Sequence, residues 1–217
     1  MNRKPNRHLI VFTRLPEKGT TKTRLIPALG AKGAAELQRK MTEHILARIS
    51  SAGITPELSI QIRFEGGRAK QLQSWLGPEY TYHPQGNGDL GRRMLSAFET
   101  AFQNRADQVA LIGTDIPGIT AAIVYNAFNI LEHEDLALGP AQDGGYYLIG
   151  LRRDAFKSAR ALFAGINWGN KSVLADTLKI AAASGLRPHL LEELADVDRP
   201  GDLRVWEREI SKNTDIG

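Results

Sequence analysis

The sequence predicts a three-layer α/β fold, in which a mixed, mainly parallel β-sheet carries helices on both faces. Short apolar, β-branched runs at residues 9–12 and 109–112 are too continuous for half-exposed strands and read as strands covered on both sides. Segments with apolar residues at helical spacing separate them. Each of these runs also stops abruptly in a polar loop, the place where open α/β sheets bind ligands.

Residues 8–13 predict the first strand. Ala34, Leu37, Met41, Ile45, Leu46 and Ile49 recur at helical spacing and predict a helix over 30–51. Alternation at 58–62 predicts a second strand, followed by a short helix over 70–76 and a third strand over 80–83. A helix over 90–103, a strand over 108–112 and a helix over 120–132 repeat the pattern, and such βαβ units imply parallel pairing. Residues 136–139 and 146–151 read as two strands joined by a polar turn, which adds antiparallel character. Helices over 172–183 and 202–209 close the chain. No linker, internal repeat or heptad interrupts it, so residues 1–217 are expected to form one domain.

Composition narrows the function. The chain has no cysteine, which excludes disulfides, thiolate metal sites and a cysteine nucleophile and fits a cytoplasmic protein. No apolar stretch approaches membrane-spanning length, so no membrane insertion is expected. The net charge of +4 is uneven: Arg3, Lys4, Arg7, Arg14, Lys18, Lys22 and Arg24 face only Glu17 among the first residues. A basic cluster at one strand–loop junction, without interleaved aromatics, suits a small phosphorylated ligand and not nucleic acid.

Five segments carry the candidate chemistry. After the first strand, Arg14, Gly19, Lys22 and Arg24 lie in a loop rich in threonine, whose N–H groups and cations can surround a di- or triphosphate. Thr21 precedes Lys22 where a Walker loop needs glycine. The second segment, Gln85-Gly86-Asn87-Gly88-Asp89, offers glycines for close approach to a base or ribose and an amide that can read a base edge; Asp89 reads equally as a helix N-cap. In the third, Gly113-Thr114-Asp115-Ile116-Pro117, the Asp115 carboxylate stands just past a strand end and can hold a divalent metal against a phosphate, a turn aspartate being the plainer reading. The fourth, Asp143-Gly144-Gly145-Tyr146, is an acceptor beside an aromatic wall or a simple hairpin turn, and in the fifth the alternate carboxylates Asp196 and Asp198 can complete a metal site. The five histidines fall in no motif, and no Ser/His/Asp set is evident.

Taken in order, Phe12-x-Arg14-x-Pro16 with Lys22-Thr23-Arg24-Leu25, Gly88-Asp89-Leu90-Gly91-x-Arg93-Met94, Gly113-x-Asp115-x-Pro117, Gly139-Pro140-x-x-Asp143-Gly144-Gly145-Tyr146 and Asp196-Val197-Asp198 span nearly the whole chain. Together they resemble a bacterial glycosyltransferase-like family of the nucleotide-diphospho-sugar transferase superfamily. That family is similar to the guanylyltransferases that activate phospholactate and molybdopterin. The resemblance implies a Rossmann-like GT-A fold and an enzyme, a metal-dependent transferase that binds a nucleotide or nucleotide-sugar and a small-molecule acceptor. It implies Mg2+ or Mn2+ at Asp115, with Asp198, or Asp196 in its place, as second ligand. It places phosphates on Lys22 and Arg24 and the nucleoside near 85–89. Asn170 stands where the family pattern has threonine. The crowded basic loop favours nucleotidyl transfer from a nucleoside triphosphate to a small phosphorylated acceptor, with Lys22, Arg24 and Asp143 in catalytic positions. Glycosyl transfer and non-catalytic nucleotide binding are the alternatives.

Overall fold

The computed structural model describes residues 4–50 and 58–214. Its sheet is laid around the strand Arg7–Arg14 (β1), in which Leu9, Ile10 and Val11 are fully buried, so both faces are covered as the apolar run requires. Leu58–Glu65 (β2) pairs with β1 in parallel, and Thr81–Pro84 (β3) pairs with β2 in parallel. Gln108–Gly113 (β4) lies parallel on the other side of β1. Beyond it come Leu136–Pro140 (β5), Tyr146–Arg152 (β6) and Pro188–Leu190 (β7), completing a seven-stranded sheet of order β3-β2-β1-β4-β6-β5-β7. β6 runs antiparallel to both of its neighbours, while β5 and β7 pair in parallel.

The helices form the outer layers. Ile26–Ser50 (α1) turns Ile45 and Ile49 onto one face of the sheet. On that face Leu9, Val11, Ile60 and Ile62 also meet Ile123, Val124 and Phe128 of Ala121–Ile130 (α4). Ala69–Leu76 (α2) is amphipathic and buries Leu72. The opposite face receives Leu90–Gln103 (α3), with Met94, Phe98 and Phe102, the short Phe156–Ala159 (α5) and Val173–Ala183 (α6). Leu203–Thr214 (α7) packs Leu203, Val205 and Trp206 over α1, Leu25 and Val197. Each such buried Leu, Ile or Phe contributes roughly 1.5–3 kcal/mol, against at most about 1 kcal/mol for an exposed ion pair, so apolar burial holds the layers together.

Several expectations shift by a few residues. The first helix starts at Ile26, and Gly30 (φ 70, ψ 165) breaks it into two pieces, so apolar spacing alone finds the second piece; Ser51 lies outside the described residues. β7 is missed because its three residues are all exposed at the sheet edge and carry no alternation. α5 is one turn long, too short for a period.

Two features position the site. The chain leaves β1 towards β2 on one side and returns as β4 on the other, which opens a crevice at the carboxyl ends of β1 and β4. Residues 194–198 then cross this crevice as a strap. Leu194 donates to the Pro140 carbonyl (3.1 Å), and the Val197 N–H donates to the Asp115 carbonyl (2.9 Å), with Val197 fully buried.

Candidate active site

The crevice opens into a cleft of about 680 Å3 whose lining includes Arg14, Lys22, Arg24, Gln85, Arg93, Asp115, Asp143, Gly145, Tyr146, Asp196 and Asp198. Residues from both ends of the sequence therefore meet at the carboxyl ends of the parallel strands. Beneath them lies a buried hydroxyl–amide network. Thr13 Oγ1 lies 3.0 Å from Thr42 Oγ1 and accepts from Thr114 Oγ1 at 3.2 Å, while Gln38 Nε2 donates to Thr114 (3.1 Å) and Thr42 (3.2 Å). These bonds tie the ends of β1 and β4 to α1, and buried polar groups satisfied in this way give the cleft a rigid floor.

The basic side is organised by Glu65 at the end of β2. Its carboxylate accepts from Arg14 (2.7 Å) and Arg93 (3.3 Å), and the Arg14 hydrogen bond, with both guanidinium charges, holds its carboxyl below the usual range. Arg24 pairs with Asp198. Lys22 is the more constrained cation: only 4% of its side chain is exposed, and its Nζ donates to the Val197 carbonyl (2.6 Å) and pairs with Asp115 Oδ1 (2.8 Å). Its backbone is left-handed (φ 47, ψ 48), a conformation that costs a non-glycine residue about 1–2 kcal/mol. The two ammonium contacts offset that cost.

Asp115 itself is 58% exposed at the cleft. Its loop is fixed from behind, where the Pro117 carbonyl accepts from Arg48 (2.9 Å) and lies 3.1 Å from His44 Nε2. At the far end of the cleft, Asp143 Oδ1 accepts from the Gly145 N–H (2.8 Å), closing a tight turn. Asp196 lies nearby, and burial, then the Asp143 charge, pushes its carboxyl above the usual range. Trp168, Tyr146 and Val173 supply an apolar wall beside these acids, with Asn170 also on the lining.

Other predicted residues play supporting parts. Gly19, Gly88, Asp89 and Gly144 do not line the cleft. Asp89 is the N-cap of α3 and accepts from the Arg92 N–H (2.8 Å), so the capping reading describes it. Gly144 (φ +91) is packed so closely that a Cβ would stand 2.2 Å from the Lys171 carbonyl oxygen. Gln85 lines the cleft, yet its amide is engaged: Nε2 donates to the carbonyls of Thr13 (3.0 Å) and Arg63 (3.3 Å), and Oε1 accepts from Arg93 (3.2 Å). It braces the strand ends instead of presenting a free amide to a base. Sequence reasoning missed Glu65, Arg93 and Trp168 as site residues. The placement of Glu65 at a strand's carboxyl end was a usable signal, because that position is where Asp115 was found.

The donor set suits a hard divalent cation. Asp115 and Asp198 offer carboxylate oxygens, and the Lys22 ammonium already sits as a cation between Asp115 Oδ1 and the Val197 carbonyl. Among the described residues no three His, Asp or Glu side chains converge on one point, so a metal here would complete its shell with ligand phosphate and water oxygens, as Mg2+ commonly does.

A family model described as an uncharacterized protein conserved in bacteria (DUF2064) matches residues 48–170, more than half of the chain. The chain belongs to the DUF2064 family. Among solved structures, this DUF2064 chain is similar to a protein of Desulfovibrio desulfuricans G20 provisionally named a nucleotide-diphospho-sugar transferase. That pair is 36% identical over 90% of this chain and 83% of the other, with a TM-score of 0.83. A nucleotidyl transferase from Methanothermobacter thermautotroptrophicus shares the fold at 16% identity (95% and 98% covered, TM-score 0.67). So does Rv0371c of Mycobacterium tuberculosis, crystallised with manganese, at 14% identity (93% and 97% covered, TM-score 0.55). No curated protein matches. The fold is thus that of the nucleotide-diphospho-sugar transferases, as the motif order implied. Among the described residues no helix is long and apolar enough to cross a membrane.

Proposed function

We propose that this DUF2064 chain is a single-domain, Mg2+- or Mn2+-dependent transferase that moves a nucleotidyl group from a nucleoside triphosphate to a small phosphorylated acceptor. The observation that carries this reading is the meeting of Arg14, Lys22, Arg24 and Arg93 with Asp115 and Asp198 on one cleft. Cations surrounding carboxylates suit a polyphosphate that arrives with its own counter-ion, and the names of the structural relatives support the same class. Asp115 and Asp198, with Asp196 adjacent, would hold the metal, which when bound neutralises phosphate oxygens. Lys22 and Arg24 compensate charge building on the departing phosphates. An oxygen of the acceptor forms a bond to the α-phosphorus as the bridging P–O bond breaks, and pyrophosphate leaves. Asp143 orients the acceptor against the Tyr146–Trp168 wall.

Glycosyl transfer from a nucleotide sugar is the second reading. The Asp143 and Asp196 carboxylates beside Trp168 favour it, because hydroxyl groups donate to such acids, and the name of the 36%-identical relative agrees. Product analysis separates the two. With nucleoside triphosphates and a panel of phosphorylated sugars and organic phosphates, we expect release of pyrophosphate; release of a nucleoside diphosphate from a nucleotide sugar decides for glycosyl transfer. Binding without either product restores the non-catalytic alternative.

A further inference from the structure

Lys22 and a divalent metal need the same oxygens. The ammonium is almost fully enclosed, 2.8 Å from Asp115 Oδ1 and 2.6 Å from the Val197 carbonyl, and it is held there by a left-handed backbone turn that leads directly into the chain towards α1. Arg24 makes the equivalent claim on Asp198. Asp115 and Asp198, two of the three carboxylates suited to a metal, are therefore neutralised by cations of the phosphate loop in this state. A doubly charged ion entering beside Lys22 meets a fixed positive charge in a partly enclosed site, where such repulsion is poorly screened.

Resting on the metal-dependent reading above, we propose that Lys22 is a resident counter-ion that closes Asp115 to divalent metal until a nucleotide arrives. The phosphates offer the ammonium a stronger partner than Asp115, Lys22 moves onto them, and the carboxylate is released to the metal that travels with the nucleotide. Metal and nucleotide thus enter as one unit, and the empty cleft does not collect metal alone. This ordering follows from one enclosed ammonium already occupying the Asp115 oxygen that a metal would take. It differs from a role in phosphate contact alone, which predicts no change in nucleotide-free metal binding when Lys22 is replaced.

The test is Mn2+ titration of the full chain followed by water-proton relaxation, which separates protein-bound Mn2+ from Mn2+ held by free nucleotide. Without nucleotide, we expect Lys22→Met to bind Mn2+ at least about tenfold more tightly than the wild type, since a neighbouring positive charge is removed. Adding Asp115→Asn to Lys22→Met should abolish the gain. Lys22→Gln serves the same purpose where the Met variant fails to fold, as judged by circular dichroism. With CTP, GTP, ATP or UTP supplied in turn, wild-type protein should form a relaxing ternary complex with at least one of them. Equal nucleotide-free Mn2+ affinity in the wild type and both folded Lys22 variants overturns the inference and leaves the metal reading standing. If no protein takes up Mn2+ under any condition, nucleotide included, the metal reading falls and the inference falls with it.

Discussion

Asp115, in the loop after β4, and His8, within β1, show how unlike two polar residues near one sheet can be. Asp115 is largely exposed, but Asp115→Asn takes the counter-charge from the enclosed Lys22 ammonium, so it should cost roughly 1–3 kcal/mol of stability while removing the charge a cation needs. We expect an unchanged far-ultraviolet spectrum and nucleotide binding that no longer responds to Mn2+, measured by calorimetry; an unaltered Mn2+ response would place the metal elsewhere. His8 is half-buried, with its enclosed Nε2 lacking a hydrogen-bond partner among the described residues. Burial, then the nearby Arg63 and His83 charges, lowers its pKa from 6.5 to about 4. Above pH 6.5 the ring is neutral in both folded and unfolded chains, and its full contribution is present. As pH falls from 6.5 towards 4 the unfolded chain binds the proton first, and about 3 kcal/mol of stability is lost across that window. Urea unfolding at stepped pH should show this slope, and His8→Gln should flatten it. Asp115 and Asp143 were legible because each follows an expected strand, and Asp196 and Asp198 because they alternate, whereas the engagement of Gln85 was not: its partners include backbone carbonyls of β1 and β2, which no side-chain pattern encodes.

At the scale of elements, the start of α3 is set by what lies against it. A Cβ on Gly91 would stand 2.3 Å from the Phe163 carbonyl oxygen and 2.6 Å from Trp168 Nε1, so the first turn of the helix packs face to face with the cleft wall. Because the nearer obstacle is backbone, Gly91→Ala should destabilise by roughly 1–3 kcal/mol and displace Trp168. A drop in the urea midpoint together with a shifted tryptophan emission checks this; an unchanged midpoint would show that the wall yields freely. Helices and central strands were readable because their burial repeats along the chain, as in Ile45 and Ile49 of α1. The break at Gly30 and the edge strand β7 were not, since the first depends on one backbone angle and the second on a neighbour across the sheet. The two strands after 136 were expected together, yet the insertion of β6 between β4 and β5 could not be read, because its residues are buried on both sides whichever neighbours they meet.

For the whole molecule, the cleft gathers Arg14, Lys22, Arg24 and Arg93 with Asp143 and Asp196 on one lining. Under nucleotidyl transfer, a triphosphate should bind more tightly than the matching diphosphate in Mg2+, and Lys22→Ala should erase most of that preference by deleting a charge-assisted contact. Competition calorimetry measures it, and a diphosphate or nucleotide sugar preferred by the wild type would favour glycosyl transfer. The strap of residues 194–198 has a bearing on when this lining comes together. During synthesis the phosphate loop emerges first and Asp115 later, but the carbonyl that holds Lys22 belongs to Val197. Until that residue has left the ribosome, Lys22 and Asp115 face each other without their third partner. The nascent chain therefore carries Lys22 and Arg24 before the Val197 carbonyl and the Asp198 carboxylate that hold them, whereas Arg14 and Arg93 meet Glu65 earlier, so the cleft's contacts are complete only once the strap has emerged.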